Sequence, residues 1–258
     1  MSKVLVAFLD DGHGEETAGK RTPYMKALGR SIKENEFNKP VVALLQTELE
    51  RCGVNVVLVA PEDRDTPLKT RTDRANKTKA AYDKKYGKNQ VDFIYVSIHF
   101  NAYDGSFTGA NPSGISLHVY LGNKKYRSGE LAGSIAKYVK QGTKQEYRGV
   151  KENNFHVLRE TKNIPAVLSE NGFMDNPAEA NLMLNKKFQK EVAVEHAKGI
   201  CDYFGIAYQG GTNEDNAGDI HRIFVDEKQV IALRNDDSVL QQVEKYLANA
   251  KEIKIQKV

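Results

Sequence analysis

The sequence of 258 residues predicts an α/β fold: a mostly parallel, twisted sheet with helices on both faces, followed by a small C-terminal ββαβ module. Two observations predict it. Short apolar runs alternate with helical periodicity through residues 1–208, as in parallel strands joined by crossover helices. Residues 209–219 then lack apolar periodicity and are rich in Gly, Asn and acidic residues. We therefore expect an α/β domain over residues 1–208, a linker over 209–219 and a small α+β module over 220–258.

Each element of the α/β domain follows from its own pattern. Apolar residues recur at three- or four-residue spacing from Phe37 to Leu49 and from Leu131 to Val139, which predicts two core-facing helices. A last helical stretch is predicted from Pro177 to about Phe204. The predicted strands of this domain are the short apolar runs Val4–Leu9, Val54–Val59, Phe93–His99, Ser116–Leu121, Phe155–Arg159 and Ala166–Glu170.

The second module is predicted to contain three strands and one helix. The strands are Ile220–Val225, Gln229–Leu233 and Glu252–Val258, and the helix is Ser238–Ala248. So short a chain buries little core and lies near the lower limit for independent folding. We therefore expect residues 220–258 to need a partner surface.

Composition and charge exclude several classes of protein and suggest the kind of partner that this chain binds. Hydrophobic residues make up 40% and charged residues 28%, which argues against disorder, and no apolar run approaches the ~18 residues of a membrane-spanning helix. Two cysteines, Cys52 and Cys201, are too few for a disulfide scaffold. Residues 1–208 carry 31 basic and 25 acidic groups, which suits a polyanionic partner such as nucleic acid, anionic lipid or a cell-wall polymer. Charge alone does not choose among these partners.

Two histidines stand at the carboxyl ends of predicted parallel strands. His13 lies in Asp-Asp-Gly-His-Gly after the first strand, and His99 lies in Ser-Ile-His-Phe-Asn-Ala at the end of the third. Ligands of open α/β sheets bind at the carboxyl ends of the strands, so the two imidazoles could share one metal ion. Spacing alone leaves metal ligation and simple hydrogen bonding in a loop equally open.

A third metal ligand is expected on the following helix. Glu34 shares the inward face of Phe37 and Val41, whereas Glu36 is rotated from it by about 200°. We therefore select Glu34, although a carboxylate in a first helical turn often faces solvent. Glu170 closes another buried strand just before Gly172, and such a carboxylate fits a general base that takes a proton from an activated water.

These residues resemble the motifs of the zinc-dependent N-acetylmuramoyl-L-alanine amidases of the type 3 amidase family, found in bacterial autolysins and phage endolysins. The resemblance covers Val4 to Phe204, and four motifs occurring in order make it specific. Two residues depart from the family pattern: Asp11 stands where the family usually has Ala, and Asn171 stands where it usually has an apolar residue or Gly. The matching segments are Asp10–Gly14, Glu34 with Asn38, Ser97–Ala102 and Glu170–Asn176, with support from Leu68–Asn76, Arg148–Lys151 and Val157–Arg159.

The resemblance implies a peptidoglycan hydrolase. It would cleave the amide between N-acetylmuramic acid and L-alanine of the stem peptide, using one Zn²⁺ per chain held by His13, Glu34 and His99, with Glu170 as the catalytic base. Peptidoglycan is then the expected partner, and no binding to nucleic acid or a membrane is expected. Residues 220–258 are expected to target the enzyme to a cell-wall polymer, or to pair with a second copy of the chain in a homodimer. A zinc peptidase acting within the stem peptide and a wall-binding module without catalysis remain the alternatives.

The remaining expectations concern location and four further side chains. The N-terminus lacks the features of a secretion signal, so we expect synthesis in the cytoplasm and action on the wall after phage or cell lysis. His118 faces either away from the core or into the cleft, where it could contact substrate. Asp11 is expected to be a solvated carboxylate, with a hydrogen bond to a ligand histidine as the alternative. His156 is expected on a surface strand, and His196 has no supporting pattern.

Overall fold

The fold is taken from a computed structural model, which describes residues 3–109, 111–210, 221–225, 228–233 and 253–257. The chain divides into two units, Met1–Tyr208 and Gln209–Val258.

The first unit is built on a six-stranded sheet in the order β2-β1-β3-β6-β4-β5. Strands β1, β2, β3 and β6 are mutually parallel, whereas β4 runs antiparallel to β6, and β5 runs parallel to β4. The predicted mostly parallel sheet is confirmed. The strands are β1 Val4–Asp10, β2 Asn55–Leu58, β3 Val91–Asn101, β4 Ile115–Val119, β5 Tyr147–Glu152 and β6 Ala166–Phe173.

Helices cover both faces of this sheet. One apolar core lies between the sheet and α1, α3 and α6, and a second lies between the sheet and α2 and α4. Alternation along β1 explains the two cores, because Ala7 and Leu9 belong to the first, and Val6 and Phe8 to the second. The helices are α1 Asn35–Arg51, α2 Leu68–Tyr86, α3 Arg127–Gly142, α4 His156–Arg159, α5 Pro177–Ala180 and α6 Lys186–Phe204.

One predicted strand of this unit is wrong, and one observed strand was not predicted. Phe155–Arg159 is not a strand, since His156–Arg159 forms the short helix α4 with Val157 and Leu158 buried; His156 therefore lies on a helix. The fifth strand is instead Tyr147–Glu152, whose residues are half-buried or exposed, so its sequence shows no apolar alternation.

The last predicted helix is also interrupted. Residues from Pro177 form the single turn α5, and the long helix α6 begins only at Lys186. Asn185 starts α6 as its N-cap, because its side chain accepts hydrogen bonds from the backbone N–H groups of Lys187 and Phe188.

The second unit contains three described strands, β7 His221–Val225, β8 Lys228–Leu233 and β9 Ile253–Lys257. They form an antiparallel sheet in the order β8-β7-β9. The predicted helix Ser238–Ala248 and residues 211–219 of the predicted linker lie outside the described residues, so the ββαβ module stays a prediction. Within the described ranges, no helix combines the length and apolar character needed to cross a bilayer.

A buried histidine in α6 is expected to make the fold sensitive to acid. The Nδ1–H of His196 donates to the Val192 carbonyl oxygen at 2.8 Å, and Nε2 lies 2.9 Å from the Ser169 hydroxyl oxygen. Burial lowers the pKa of His196 from 6.5 to about 4. Between these two values the unfolded chain binds a proton that the folded chain excludes.

The free energy of unfolding should therefore fall as pH falls from 6.5 towards 4, and His196 should contribute up to about 1.4 kcal/mol per pH unit. Urea unfolding of wild type and His196→Leu across this range measures the contribution. In His196→Leu, the slope of the free energy of unfolding against pH should be smaller than in wild type by the equivalent of about one proton. Equal slopes in the two proteins would contradict the assignment.

Candidate active site

Three side chains from separate parts of the chain meet at the carboxyl edge of the sheet. His13 follows β1, Glu34 precedes α1, and His99 lies in β3, and one ligand atom from each lies within 4.8 Å of the others. His99 Nδ1 is 3.0 Å from Glu34 Oε1, and His13 Nε2 is 3.6 Å from Glu34 Oε2. The structure therefore brings together the three residues selected as ligands from the sequence.

The structure also separates Glu34 from Glu36. The Glu34 side chain is 1% exposed, and its Oε1 accepts hydrogen bonds from Asn38 Nδ2 and the Phe100 backbone N–H, both at 3.1 Å. The Glu36 side chain is 29% exposed and forms a two-pronged ion pair with Arg30. Glu36 therefore lies at the surface, away from the two histidines.

A glycine makes the close approach of these elements possible. Gly12 adopts φ +73°, a left-handed conformation that favours glycine. A Cβ at this position would lie 2.5 Å from His99 Cε1 and 2.9 Å from Asn38 Nδ2. Any larger residue would therefore push the loop that carries His13 away from His99.

The residues present fit a zinc ion. Glu34 Oε2 is buried without a hydrogen-bond partner, as expected for an oxygen whose partner is a cation. Two imidazoles and one carboxylate form a donor set of catalytic zinc. Burial lowers the pKa of His13 to about 4, so its ring is neutral at pH 7 and offers a lone pair. Burial alone would raise the pKa of Glu34, but the hydrogen bond and charge of His99 lower it to about 2.

Glu170 stands next to this cluster on the neighbouring strand. It pairs with His99 in the register of β3 and β6, so the two side chains leave the same face of the sheet. Burial raises the pKa of Glu170 to about 7, and its Oε2 is buried without a hydrogen-bond partner. A carboxyl group that titrates near neutrality is suited to accept a proton and return it.

A bulge after Glu170 adds contacts that sequence reasoning missed. The register between β3 and β6 shifts after His99, so that Asn171 and Gly172 lie opposite Phe100. Gly172 adopts φ +144°, and a Cβ there would lie 2.5 Å from the Phe100 ring. The Asn171 side-chain amide donates to the His99 carbonyl oxygen at 3.0 Å, which ties β6 to the strand carrying His99. The only sequence signal was the departure from the family pattern at Asn171.

Asp10 and Arg71 hold the loop between β1 and His13. Arg71, 2% exposed, donates to the Asp10 carboxylate at 2.9 Å and to the carbonyl oxygens of Gly12 and Thr66. A buried charge pair of this kind is strongly destabilising when one partner is removed. In the sequence, these two residues were supported only by the family motifs that contain them.

The structure revises the expectations for Asp11 and His118. Asp11 is 6% exposed, so the prediction of a solvated carboxylate is wrong; its carbonyl oxygen accepts from the His13 backbone N–H. His118 is 5% exposed, with Nε2 at 2.9 Å from the Ser116 hydroxyl oxygen and Nδ1 at 2.6 Å from Asn153 Oδ1. Both ring nitrogens of His118 therefore have partners within the protein.

Comparisons with known proteins agree with this geometry. A family model described as N-acetylmuramoyl-L-alanine amidase matches residues 7–202. The chain is 30% identical to the N-acetylmuramoyl-L-alanine amidase CwlM of Bacillus licheniformis, over 92% of this chain and 80% of that protein. It is 32% identical to the endolysin of Bacillus phage SPP1, over 82% of this chain and 69% of the relative.

Solved structures show the same fold. The catalytic domain of CwlV, an N-acetylmuramoyl-L-alanine amidase from Bacillus (Paenibacillus) polymyxa var. colistinus, superposes with a TM-score of 0.65 at 28% identity, covering 79% of this chain and 100% of that one. An N-acetylmuramoyl-L-alanine amidase from Clostridium difficile 630 superposes with a TM-score of 0.63 at 31% identity, covering 79% and 98%. The similarity thus extends over most of the first unit.

Proposed function

The chain belongs to the N-acetylmuramoyl-L-alanine amidase family and is a peptidoglycan amidase, and from this premise we propose that it works with one zinc ion held by His13, Glu34 and His99 and with Glu170 as its base. The observation that carries the proposal is the cluster itself. Three ligand atoms lie within 4.8 Å of one another, and a buried carboxyl group stands beside them on the paired strand.

The bond proposed to break is the amide between the lactyl group of N-acetylmuramic acid and L-alanine of the stem peptide. Zinc, when bound, polarises a carbonyl oxygen and lowers the pKa of water towards ~7. Glu170 removes a proton from the attacking water and then delivers it to the departing amine nitrogen, because an unprotonated amine is a poor leaving group. His13 and Glu34 contribute a neutral nitrogen and an anionic oxygen to the metal.

A digest of purified peptidoglycan tests which bond is cut. The proposal predicts new lactyl carboxyl groups on muramic acid and new amino-terminal L-alanine, in equal amounts. A zinc peptidase acting within the stem peptide would instead release amino groups from residues beyond L-alanine. A wall-binding module without catalysis would release neither. Either of these outcomes would overturn the proposed reaction.

Residues 220–258 are proposed to target the enzyme to a cell-wall polymer, with homodimerisation as the alternative. The division of the chain near Tyr208 and the antiparallel sheet β8-β7-β9 support a separate module. Weak binding modules gain from being linked to a second site, because linkage raises the effective concentration.

Truncation after Tyr208 is expected to leave hydrolysis of soluble muropeptides near the wild-type rate and to weaken binding to intact walls. Pelleting with purified walls measures the binding. If the truncated protein binds and lyses intact cells as well as the full chain does, the targeting proposal fails. If the full chain sediments as a monomer at micromolar concentration, the dimer alternative fails.

A further inference from the structure

The carboxylate of Asp10 is buried and surrounded by hydrogen-bond donors. Its Oδ1 accepts from the Gly12 backbone N–H at 3.1 Å and from Arg71 Nη1 at 2.9 Å. Its Oδ2 accepts from the Tyr95 hydroxyl at 2.9 Å and from the Ser97 hydroxyl at 2.8 Å. The ion pair with Arg71 keeps Asp10 ionised, so the carboxylate only accepts hydrogen bonds.

Because Asp10 only accepts hydrogen bonds, the direction of the hydrogen bond between Ser97 and His99 is also determined. The Ser97 hydroxyl has one proton and gives it to Asp10 Oδ2, because an ionised carboxylate has none to give. Ser97 Oγ also lies 3.0 Å from His99 Nε2. With its own proton already committed, Ser97 Oγ can only accept there, so Nε2 of His99 must carry a hydrogen.

We propose that Asp10 and Ser97 act as positioning residues that hold His99 with its proton on Nε2 and its Nδ1 lone pair towards the metal. This inference rests on the proposed function, since it presumes that His99 is a zinc ligand. The geometry fits, because Nε2 points to Ser97 and Nδ1 lies 3.0 Å from Glu34 Oε1, where a bound metal ion would replace the hydrogen bond that Nδ1–H makes to this carboxylate. Asp10 lies opposite Ser97 in the register of the paired strands β1 and β3. The pairing of these strands therefore places the Asp10–Ser97–His99 hydrogen-bond chain, which we call the relay.

These hydrogen bonds favour one of the two neutral tautomers of the His99 imidazole over the other. A histidine with its proton on Nδ1 would leave Ser97 Oγ and Nε2 facing each other without a hydrogen between them, and would turn an N–H towards the metal. Hydrogen bonds to the far nitrogen of a ligand histidine set its tautomer and ring orientation, and their loss typically weakens metal affinity by about 10–100-fold. Asp10 and Ser97 touch neither metal nor substrate in this scheme.

Nuclear magnetic resonance of zinc-loaded, ¹⁵N-histidine-labelled full-length protein tests the tautomer directly. The proposal predicts that His99 shows a protonated Nε2 and a metal-bound Nδ1, with the resonances assigned by comparison with His99→Gln. Coordination through Nε2 would overturn the relay but leave the zinc proposal intact. Protein that is active without binding zinc would overturn the zinc proposal instead.

A variant series tests the role of the hydroxyl. Ser97→Ala is expected to weaken zinc affinity about 10–100-fold, measured by competition with a chelator, and Ser97→Thr should recover affinity because it keeps the hydroxyl. Ser128→Ala is the matched control: this buried serine accepts from the Ala166 backbone N–H and should leave zinc affinity unchanged. Wild-type affinity in folded Ser97→Ala would contradict the proposal, and if that variant does not fold, the wild-type spectrum decides.

Discussion

Replacing Glu170 with Gln is expected to lower kcat about 100-fold or more while the protein keeps its fold and its zinc. Gln has nearly the same shape as Glu, but its amide cannot accept a proton from water or return one to the leaving amine. Glu170 is not among the three clustered ligand residues, so metal content should stay near that of wild type. The measurements are kcat on a soluble muropeptide and elemental analysis of the same preparation.

The activity and zinc content of Glu170→Gln together show whether Glu170 acts as a base or as a metal ligand. Loss of both activity and zinc in Glu170→Gln would place this residue in the metal site instead. Turnover near the wild-type rate would mean that another group accepts the proton, and the buried carboxyl group of Asp11, near His13 in the chain, would be the first to test.

Loss of the metal is expected to have the largest effect on activity. Glu34→Gln removes the only carboxylate of the described cluster, and chelation removes the ion from wild type. Metal ions stabilise transition states by several kcal/mol, and each 1.36 kcal/mol is tenfold in rate, so kcat should fall at least ~10³-fold in both cases. Zinc added back should restore chelated wild type but not Glu34→Gln at the same zinc concentration.

Glu36→Gln provides the matched control for Glu34. It changes the same residue type two positions along the chain, where the carboxylate is half-buried and paired with Arg30. Its activity and zinc content should equal those of wild type. If Glu36→Gln loses zinc while Glu34→Gln keeps it, the ligand assignment is wrong.

Elements with strong periodicity could be predicted from the sequence. Helix α1 and strand β3 have apolar spacings that match their buried faces, because each packs against a core. Strand β5 could not be found in this way. It lies at the edge of the sheet, and Arg148, Gly149 and Lys151 leave it without an apolar face.

The selected site residues could be proposed because each carries a local signal. His13 follows a predicted strand, His99 ends another, and Glu34 shares a helical face with Phe37. The surroundings of these residues could not be predicted, since they depend on which strands pair. Contacts of Asp10 with Ser97, and of Asn171 with the His99 carbonyl, join residues more than 70 positions apart. The burial of Asp11 could not be predicted for the same reason. The expectation that the protein acts on the wall after lysis stays a prediction.

Anomalous X-ray diffraction at the zinc edge, from crystals of active full-length protein, tests the central claim most directly. We expect one strong peak per chain within about 2.2 Å of ligand atoms from His13, Glu34 and His99, with Glu170 nearby but outside bonding distance. A peak coordinated by Glu36 in place of Glu34, or no peak in crystals whose dissolved protein is active, would contradict it.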